Sequence, residues 1–148
     1  MEWKIAALSE LFGLTGAMEQ GIGSYSKGMK QKVLIIAALM HDPDVLSLDE
    51  PESGLDVTGG LVLRHLAQAL AARGKAVLYS SHILEVVEKL CTRVIVLHQG
   101  HVVADDSVAR LRTLMVSSSL EEVFGLLVSR INPERTANEI VEVMTTHA

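Results

Sequence analysis

Cysteine occurs once in this chain of 148 residues, at Cys91. A single thiol excludes an internal disulfide and a cysteine-based zinc site. Its apolar helix-to-strand setting predicts a small buried core residue. Aromatic residues make up only 3% of the chain. The longest unbroken apolar run, Val33–Met40, is far short of the roughly 20 residues a membrane-spanning helix needs. The opening Met1-Glu2-Trp3-Lys4 lacks the basic and apolar regions of a secretory leader, so a cytosolic chain is expected. Basic residues are outnumbered, 13 against 18, for a net charge of −5. With no basic stripe either, nucleic acid is not expected as a partner. No G-x-x-x-x-G-K-[ST] phosphate loop occurs. The nearest glycine pairs, Gly21-Ile-Gly23 and Gly59-Gly60, lack the Lys-Ser/Thr that such a loop requires.

What is present favours a packed chain. Hydrophobic residues reach 49%, and a chain of this length can bury roughly 70% of its unfolded surface. A mean hydropathy of +0.31 is high for a soluble chain and suggests fully buried elements or surface meant for a partner. Residues 3–12 read as a helix with Ile5, Leu8, Leu11 and Phe12 on one face and Gly13 as its stop. Residues 14–25 read as a loop. Ser26 is placed to cap a helix from Lys27 to about Met40, polar at first and then apolar all round, so its second half is expected to be buried. Val45–Leu48 and Ala76–Ser80 have strand length, with a helix from Val57 to about Arg73 between them, capped by Asp56 and closed by Gly74. Ile83–Leu90 reads as a helix, and Arg93–His98 with His101–Asp105 as a hairpin turning at Gln99-Gly100. Ser107 opens a short helix to about Met115, and Ser119–Glu122 matches a capping box. Asn132-Pro133 opens a last amphipathic helix bearing Ala137, Ile140, Val141 and Met144. Strands alternating with helices give an α/β class with a mainly parallel sheet and an antiparallel hairpin at its end.

Chemistry concentrates in a few places. Val45-Leu-Ser-Leu-Asp49-Glu50-Pro51 is an apolar strand ending in two carboxylates. In open α/β folds ligands bind at that edge. One acid there can hold Mg²⁺ through water and the other can deprotonate an attacking water, although a strand end turning into solvent has the same pattern. Ser53-Gly54-Leu55-Asp56 is a tight turn that also caps a helix. Ser80-Ser81-His82 leaves the second strand directly, where a histidine can meet a phosphate or can be incidental to a cap. Tyr25-Ser26-Lys27-Gly28-Met29-Lys30-Gln31-Lys32 joins a helix N-terminus, a glycine and lysines, which together favour an anion. His98 and His101 flank the hairpin turn and read as solvated residues, since structural zinc takes four ligands.

Taken in order, these features resemble the ABC transporter ATP-binding proteins. Tyr25–Met29, YSKGM, is similar to the family's LSGGQ signature; Val45–Glu50 to its Walker B strand; Ser53–Asp56 to its D-loop; and His82 to its switch histidine. YSKGMKQK and the SLEEVF at 119–124 resemble most the ATPases of ABC-2-type exporters. The resemblance implies a P-loop NTPase-like fold, with ATP and Mg²⁺ as cofactors. It implies that Asp49 holds Mg²⁺ through water, that Glu50 is the general base, and that His82 contacts the γ-phosphate. It also implies that Ser26, Lys27, Gly28 and Met29 meet nucleotide held mainly by a second ATPase subunit, with Asp56 linking the two sites. Partners would be that second subunit and transmembrane permease subunits, at the cytoplasmic face of a membrane. Lys27 and Met29 depart from LSGGQ in the manner of the exporter variant. Glu52 stands where Thr, Phe or Asn is more usual, with an effect left open.

By the same resemblance the chain corresponds to the C-terminal part of an ATPase domain over 1–129, with 1–42 ending the helical subdomain and 43–129 forming half of the core. Residues 130–148 are a helix or tail. The Walker A strand would lie between Ala76–Ser80 and Arg93–His98, so the sheet is expected to lack a central strand, with Val45–Leu48 beside Ala76–Ser80. The phosphate loop provides most of the groups that hold ATP, so no steady ATPase activity is expected of the chain by itself. Three origins stay open: part of a transport motor, a binding module that docks on a complete ATPase subunit, or a gene remnant.

Overall fold

The computed structural model describes residues 2–115, 124–125 and 133–145. The expected capping box at 119–122 and the expected boundary near 130 lie outside the described residues. The chain forms two compact units, Met1–Leu90 and Cys91–Ala148.

In the first unit α1 (Glu2–Leu11) ends at Gly13, whose φ of +69° suits a residue without a side chain. Two 3₁₀ turns, Thr15–Ala17 and Ile22–Ser24, cross the expected loop. They are anchored by Tyr25, whose buried hydroxyl donates to the Ala17 carbonyl at 2.6 Å. α2 (Lys27–Leu39) starts at Ser26, whose side chain accepts from the Met29 N–H at 3.2 Å. β1 (Val45–Asp49) alternates outward and inward, with Leu46 and Leu48 buried. α3 (Val57–Ala72) starts at Asp56, whose carboxylate accepts from the Gly59 N–H at 2.8 Å. Gly74, at φ +83°, turns the chain into β2 (Ala76–Ser80), and α4 (Leu84–Leu90) follows.

β1 and β2 pair in parallel with aligned ends, Val45 opposite Ala76 and Asp49 opposite Ser80, as expected from the sequence. α3 supplies the crossover that parallel strands require. The core beneath them is Ile35, Leu46, Leu48 and Leu63, with Phe12, Leu66, Leu70, Val77 and Tyr79 packed around it. Leu63 is completely enclosed. The opposite face of the pair is open, with Val45 68% and Leu78 62% exposed. At their start the strands are tied by Lys75, whose amine donates to the carbonyls of Asp42 and Pro43 and pairs with the Asp42 carboxylate. That ammonium holds the Asp42 carboxyl below its usual range.

Two expectations about helix faces need correction. α1 contacts α2 and the first 3₁₀ turn, so Leu8 and Phe12 are half-buried while Ile5 and Leu11 stay exposed and Ser9 is buried. In α2 Ile35 and Ile36 are buried, but Leu34 is 64% exposed. An all-apolar run fixes no face by itself, and only one side of α2 meets the core.

In the second unit β3 (Arg93–His98) and β4 (His101–Ser107) form an antiparallel hairpin with a bulge at Val96/Leu97. Gln99 and Gly100 both have positive φ, 50° and 78°, as a two-residue type I′ turn requires. The Arg93 guanidinium donates to both Asp105 oxygens, at 2.8 and 3.0 Å. α5 (Val108–Met115) is capped by Ser107, whose hydroxyl accepts from the Arg110 N–H at 3.2 Å. α6 (Pro133–Thr145) has the expected apolar stripe, with Ile140, Val141 and Met144 exposed. Cys91 is half-buried rather than enclosed, and burial raises its thiol pKa. No described helix is long and apolar enough to cross a membrane.

Candidate functional site at the carboxyl edge of the first sheet

The site begins where β1 stops being a strand. Asp49 is its last residue, and Glu50 turns out of it with φ of +43°. Side chains other than glycine, asparagine and aspartate rarely adopt that conformation. Two bonds surround the turn. The Glu50 N–H donates to the Ser80 hydroxyl oxygen at 3.0 Å, and the same hydroxyl donates to Asp49 Oδ1 at 2.5 Å. The next contact involves the side chain: His82 Nδ1 lies 2.9 Å from Glu50 Oε2. An ionised carboxylate only accepts, so Nδ1 carries the proton and Nε2 is the nitrogen left for another partner. His82 and Glu50 are 80% and 42% exposed at their side chains, so the pair contributes little stability but stands open to a ligand.

Below this edge the loop from Pro51 to Asp56 is tightly held. Pro51 is fully buried. Glu52 receives both ends of the Arg64 guanidinium, Nε on Oε1 at 2.8 Å and Nη2 on Oε2 at 2.6 Å, while the Tyr79 hydroxyl donates to Oε1 at 2.6 Å. The Arg64 bonds, and after them the Tyr79 bond, hold the Glu52 carboxyl below its ordinary range against a burial effect in the other direction. The unusual acid noted in the sequence therefore pins the loop to α3 and β2. Glu50, Ser53, Asp56, Arg64 and His82 line one cavity of about 310 Å³.

The helix tip at Ser26 reaches this loop through its backbone. A Cβ on Gly28 would overlap the Gly54 carbonyl, so the two backbones touch where any side chain would separate them. Gly54 sits at φ +85°, with the Lys27 stem against it. The first intrahelical bond of α2 runs from the Lys30 N–H to the Ser26 carbonyl. The N–H groups of Lys27 and Gly28 precede it and take no intrahelical partner, the usual state of a helix start. Met29 is half-buried, its N–H used by the Ser26 cap.

Glu50, His82 and Asp56 thus share a cavity wall, Asp49 is joined to them through Ser80, and Gly28 through Gly54. Ser26, Lys27 and Met29 are not among the lining residues. His98 and His101 pair across the hairpin in the second unit, and no group of three or more potential metal ligands occurs among the described residues. An ion at Asp49 would therefore take most of its ligands from water and phosphate. Mg²⁺ is commonly held in that way, by one or two carboxylates plus substrate oxygens, so this donor set fits it. Ser80, Arg64 and Tyr79 were not singled out in the sequence. Aligned strand ends would have found Ser80, which falls opposite Asp49 in register.

Comparison with known proteins adds the following. A family model described as "AAA domain, putative AbiEii toxin, Type IV TA system" matches residues 9–88. The chain is similar to ABC transporter ATP-binding protein NatA of Bacillus subtilis (strain 168), 41% identical over 121 residues, 82% of this chain and 49% of NatA. It is similar to Nod factor export ATP-binding protein I of Burkholderia orbicola (strain AU 1054), 34% identical over 121 residues, 82% of this chain and 40% of that protein. A solved structure titled "Structure of ATP binding subunit of ABC transporter" superposes with a TM-score of 0.78 at 32% identity, covering 85% of this chain and 53% of that one. The chain spans 40–53% of the length of these relatives.

Proposed function

This chain belongs to the family of ABC transporter ATP-binding proteins, and from that premise we propose that it supplies the hydrolytic edge of an ATPase that drives export across a membrane. The observation that carries the reading is the 2.9 Å approach of His82 to Glu50 beside Asp49. Glu50 is the general base, placed to take a proton from water. His82 orients that carboxylate through Nδ1, and in its imidazolium form, where both ring nitrogens donate, it would reach a phosphate oxygen through Nε2–H. Asp49 would hold a magnesium ion through water, and the charge of that ion would offset the phosphate's. Ser26 and the N–H groups of Lys27 and Gly28 present a helix start to the nucleotide of a second ATPase subunit, and Asp56 stands in the loop between the two. Positioning and charge stabilisation of this kind are most of what phosphoryl transfer asks of a protein. The export direction is supported by the similarity to a Nod factor export ATP-binding protein. Permease subunits and a place on the cytoplasmic face of the membrane belong to the same proposal.

A chimera tests it. The part of NatA that this chain does not match is joined to residues 1–148, and Mg-ATP hydrolysis is measured. Hydrolysis is expected, and Glu50→Gln is expected to lower it about 10²–10⁴-fold. Unchanged turnover in that variant would remove Glu50 from its role. The 148-residue chain by itself is expected to show no steady Mg-ATP turnover, because its sequence holds no phosphate loop. Clear turnover that Glu50→Gln abolishes would refute that expectation.

A further inference from the structure

We infer that Ser80 is a positioning residue that sets both acids of the site at once, an inference that rests on the reading of Asp49 and Glu50 given above. A hydroxyl has one proton to donate and two lone pairs to accept with. Here the partners leave no ambiguity in how these are used. The Glu50 N–H can only donate, so Ser80 accepts from it at 3.0 Å. The Asp49 carboxylate can only accept, so Ser80 gives it the proton at 2.5 Å. Both bonds come from a residue distant in sequence, thirty positions from Glu50 and thirty-one from Asp49, brought opposite Asp49 by the parallel register.

The two bonds do different things. When Glu50 leaves the strand at φ +43°, its N–H needs a partner other than a neighbouring strand, and the Ser80 oxygen is that partner. The bond therefore holds the backbone turn that brings the Glu50 carboxylate to His82. The second bond occupies one oxygen of Asp49 and fixes how the carboxylate is presented, leaving the other oxygen for an ion. Groups behind a metal ligand act on affinity in this manner, and their removal typically weakens binding about 10–100-fold. Tyr79, the adjacent residue of β2, lies on the other face, packed against the core and bonded to Glu52. Successive residues of one strand thus hold the loop from beneath and the acids from above.

The test compares Ser80→Thr with Ser80→Val in the 148-residue chain, since these side chains differ in little but the hydroxyl. MnCl₂ serves as the probe, without nucleotide. Two readouts are taken by NMR: hydrogen exchange of the Glu50 amide, and paramagnetic broadening of the Asp49 and Glu50 amides as Mn²⁺ is titrated. Asp49→Asn is the control. The expected result is near-normal behaviour in Ser80→Thr. Ser80→Val should speed Glu50 amide exchange about tenfold or more and weaken Mn²⁺ binding by a similar factor. Equal exchange and equal Mn²⁺ affinity in the two variants would overturn the inference. If Asp49→Asn leaves the wild-type broadening intact, the metal reading of Asp49 fails. The Glu50 amide then decides the part played by Ser80, because that bond does not depend on the ion. Should Ser80→Val fail to fold, Ser80→Ala takes its place against Ser80→Thr, with the same outcomes.

Discussion

Among the described residues each unit contains one two-stranded sheet, and each sheet has a non-glycine residue in the left-handed region just beyond a strand: Glu50 at φ +43° in the first and Gln99 at φ +50° in the second. The surroundings of the two differ. Gln99 occupies a turn whose geometry calls for positive φ, followed by glycine, with solvent around it. Glu50 occupies a place where the chain could have continued as a strand. It is kept out of it by Ser80, His82, the buried Pro51 and the pinned Glu52. The same backbone conformation follows from local turn chemistry in one unit and from long-range bonds in the other. Strain of the second kind persists only where neighbours over-determine it, and it gathers at sites that do chemistry.

Substitutions can break this contrast, beginning with the cores. Leu63→Ala should destabilise the first unit by about 2–5 kcal/mol, since an enclosed leucine leaves a cavity that cannot collapse. Val96→Ala in the hairpin should cost less, about 1–2 kcal/mol, as a smaller side chain at a thinner core. Urea denaturation of each variant checks the difference, and equal costs would show that the hairpin is as dependent on burial as the first unit. Next comes Gly28→Ala, which drives a methyl group into the Gly54 carbonyl; about 1–3 kcal/mol is expected, the range for overpacking. If its melting temperature is unchanged, the two backbones do not touch.

Acid should separate the units further. The Glu52 carboxyl lies below its ordinary 4.5, so the stability it contributes is full above that value and is lost as pH falls through its lowered value. Arg64→Leu should cost about 1–3 kcal/mol at neutral pH, through the unpaired Glu52, and flatten the acid limb of the stability curve below pH 4.5. The Asp105 carboxyl is lowered in the same direction by Arg93, but it is exposed to solvent and salt. Removal of Arg93 should therefore leave the acid limb nearly unchanged. The smallest effects belong to the left-handed residues themselves. Glu50→Asn and Gln99→Asn should each stabilise by less than about 1 kcal/mol, because asparagine tolerates positive φ. Only Glu50→Asn should abolish hydrolysis in the NatA chimera.

Much of this architecture could be read from residue order. β1 and β2 follow from two apolar runs flanking a capped helix, their pairing from the family resemblance, and the hairpin from Gln99-Gly100. Asp49, Glu50 and His82 stand out because chemistry needs those side chains at strand ends, and Asp56 through the resemblance of its turn to the D-loop. What escaped depends on contacts that no periodicity encodes. The effect of Glu52 is open in the sequence, and only the fold brings Arg64 and Tyr79 to it. Gly28 looked like a residue chosen for a ligand, while the structure shows it is also needed for Gly54 to come close. Leu11 and Leu34 are exposed although their pattern predicts core, because hydrophobicity reports a preference for burial and not whether a neighbour exists to provide it.

The aligned strand ends have a bearing on which length variants of this chain can survive. Side chains along a strand alternate with a period of two, so deleting one residue between Lys75 and Tyr79 would set Ser81 opposite Asp49 and turn Ser80 to the core face. The same deletion would turn the Val77 and Tyr79 positions out of the core. Insertions and deletions in this half of the molecule should therefore be found before Lys75, where the amine clamp ends, and an indel scan across Arg73–Ser80 would map that limit to the residue.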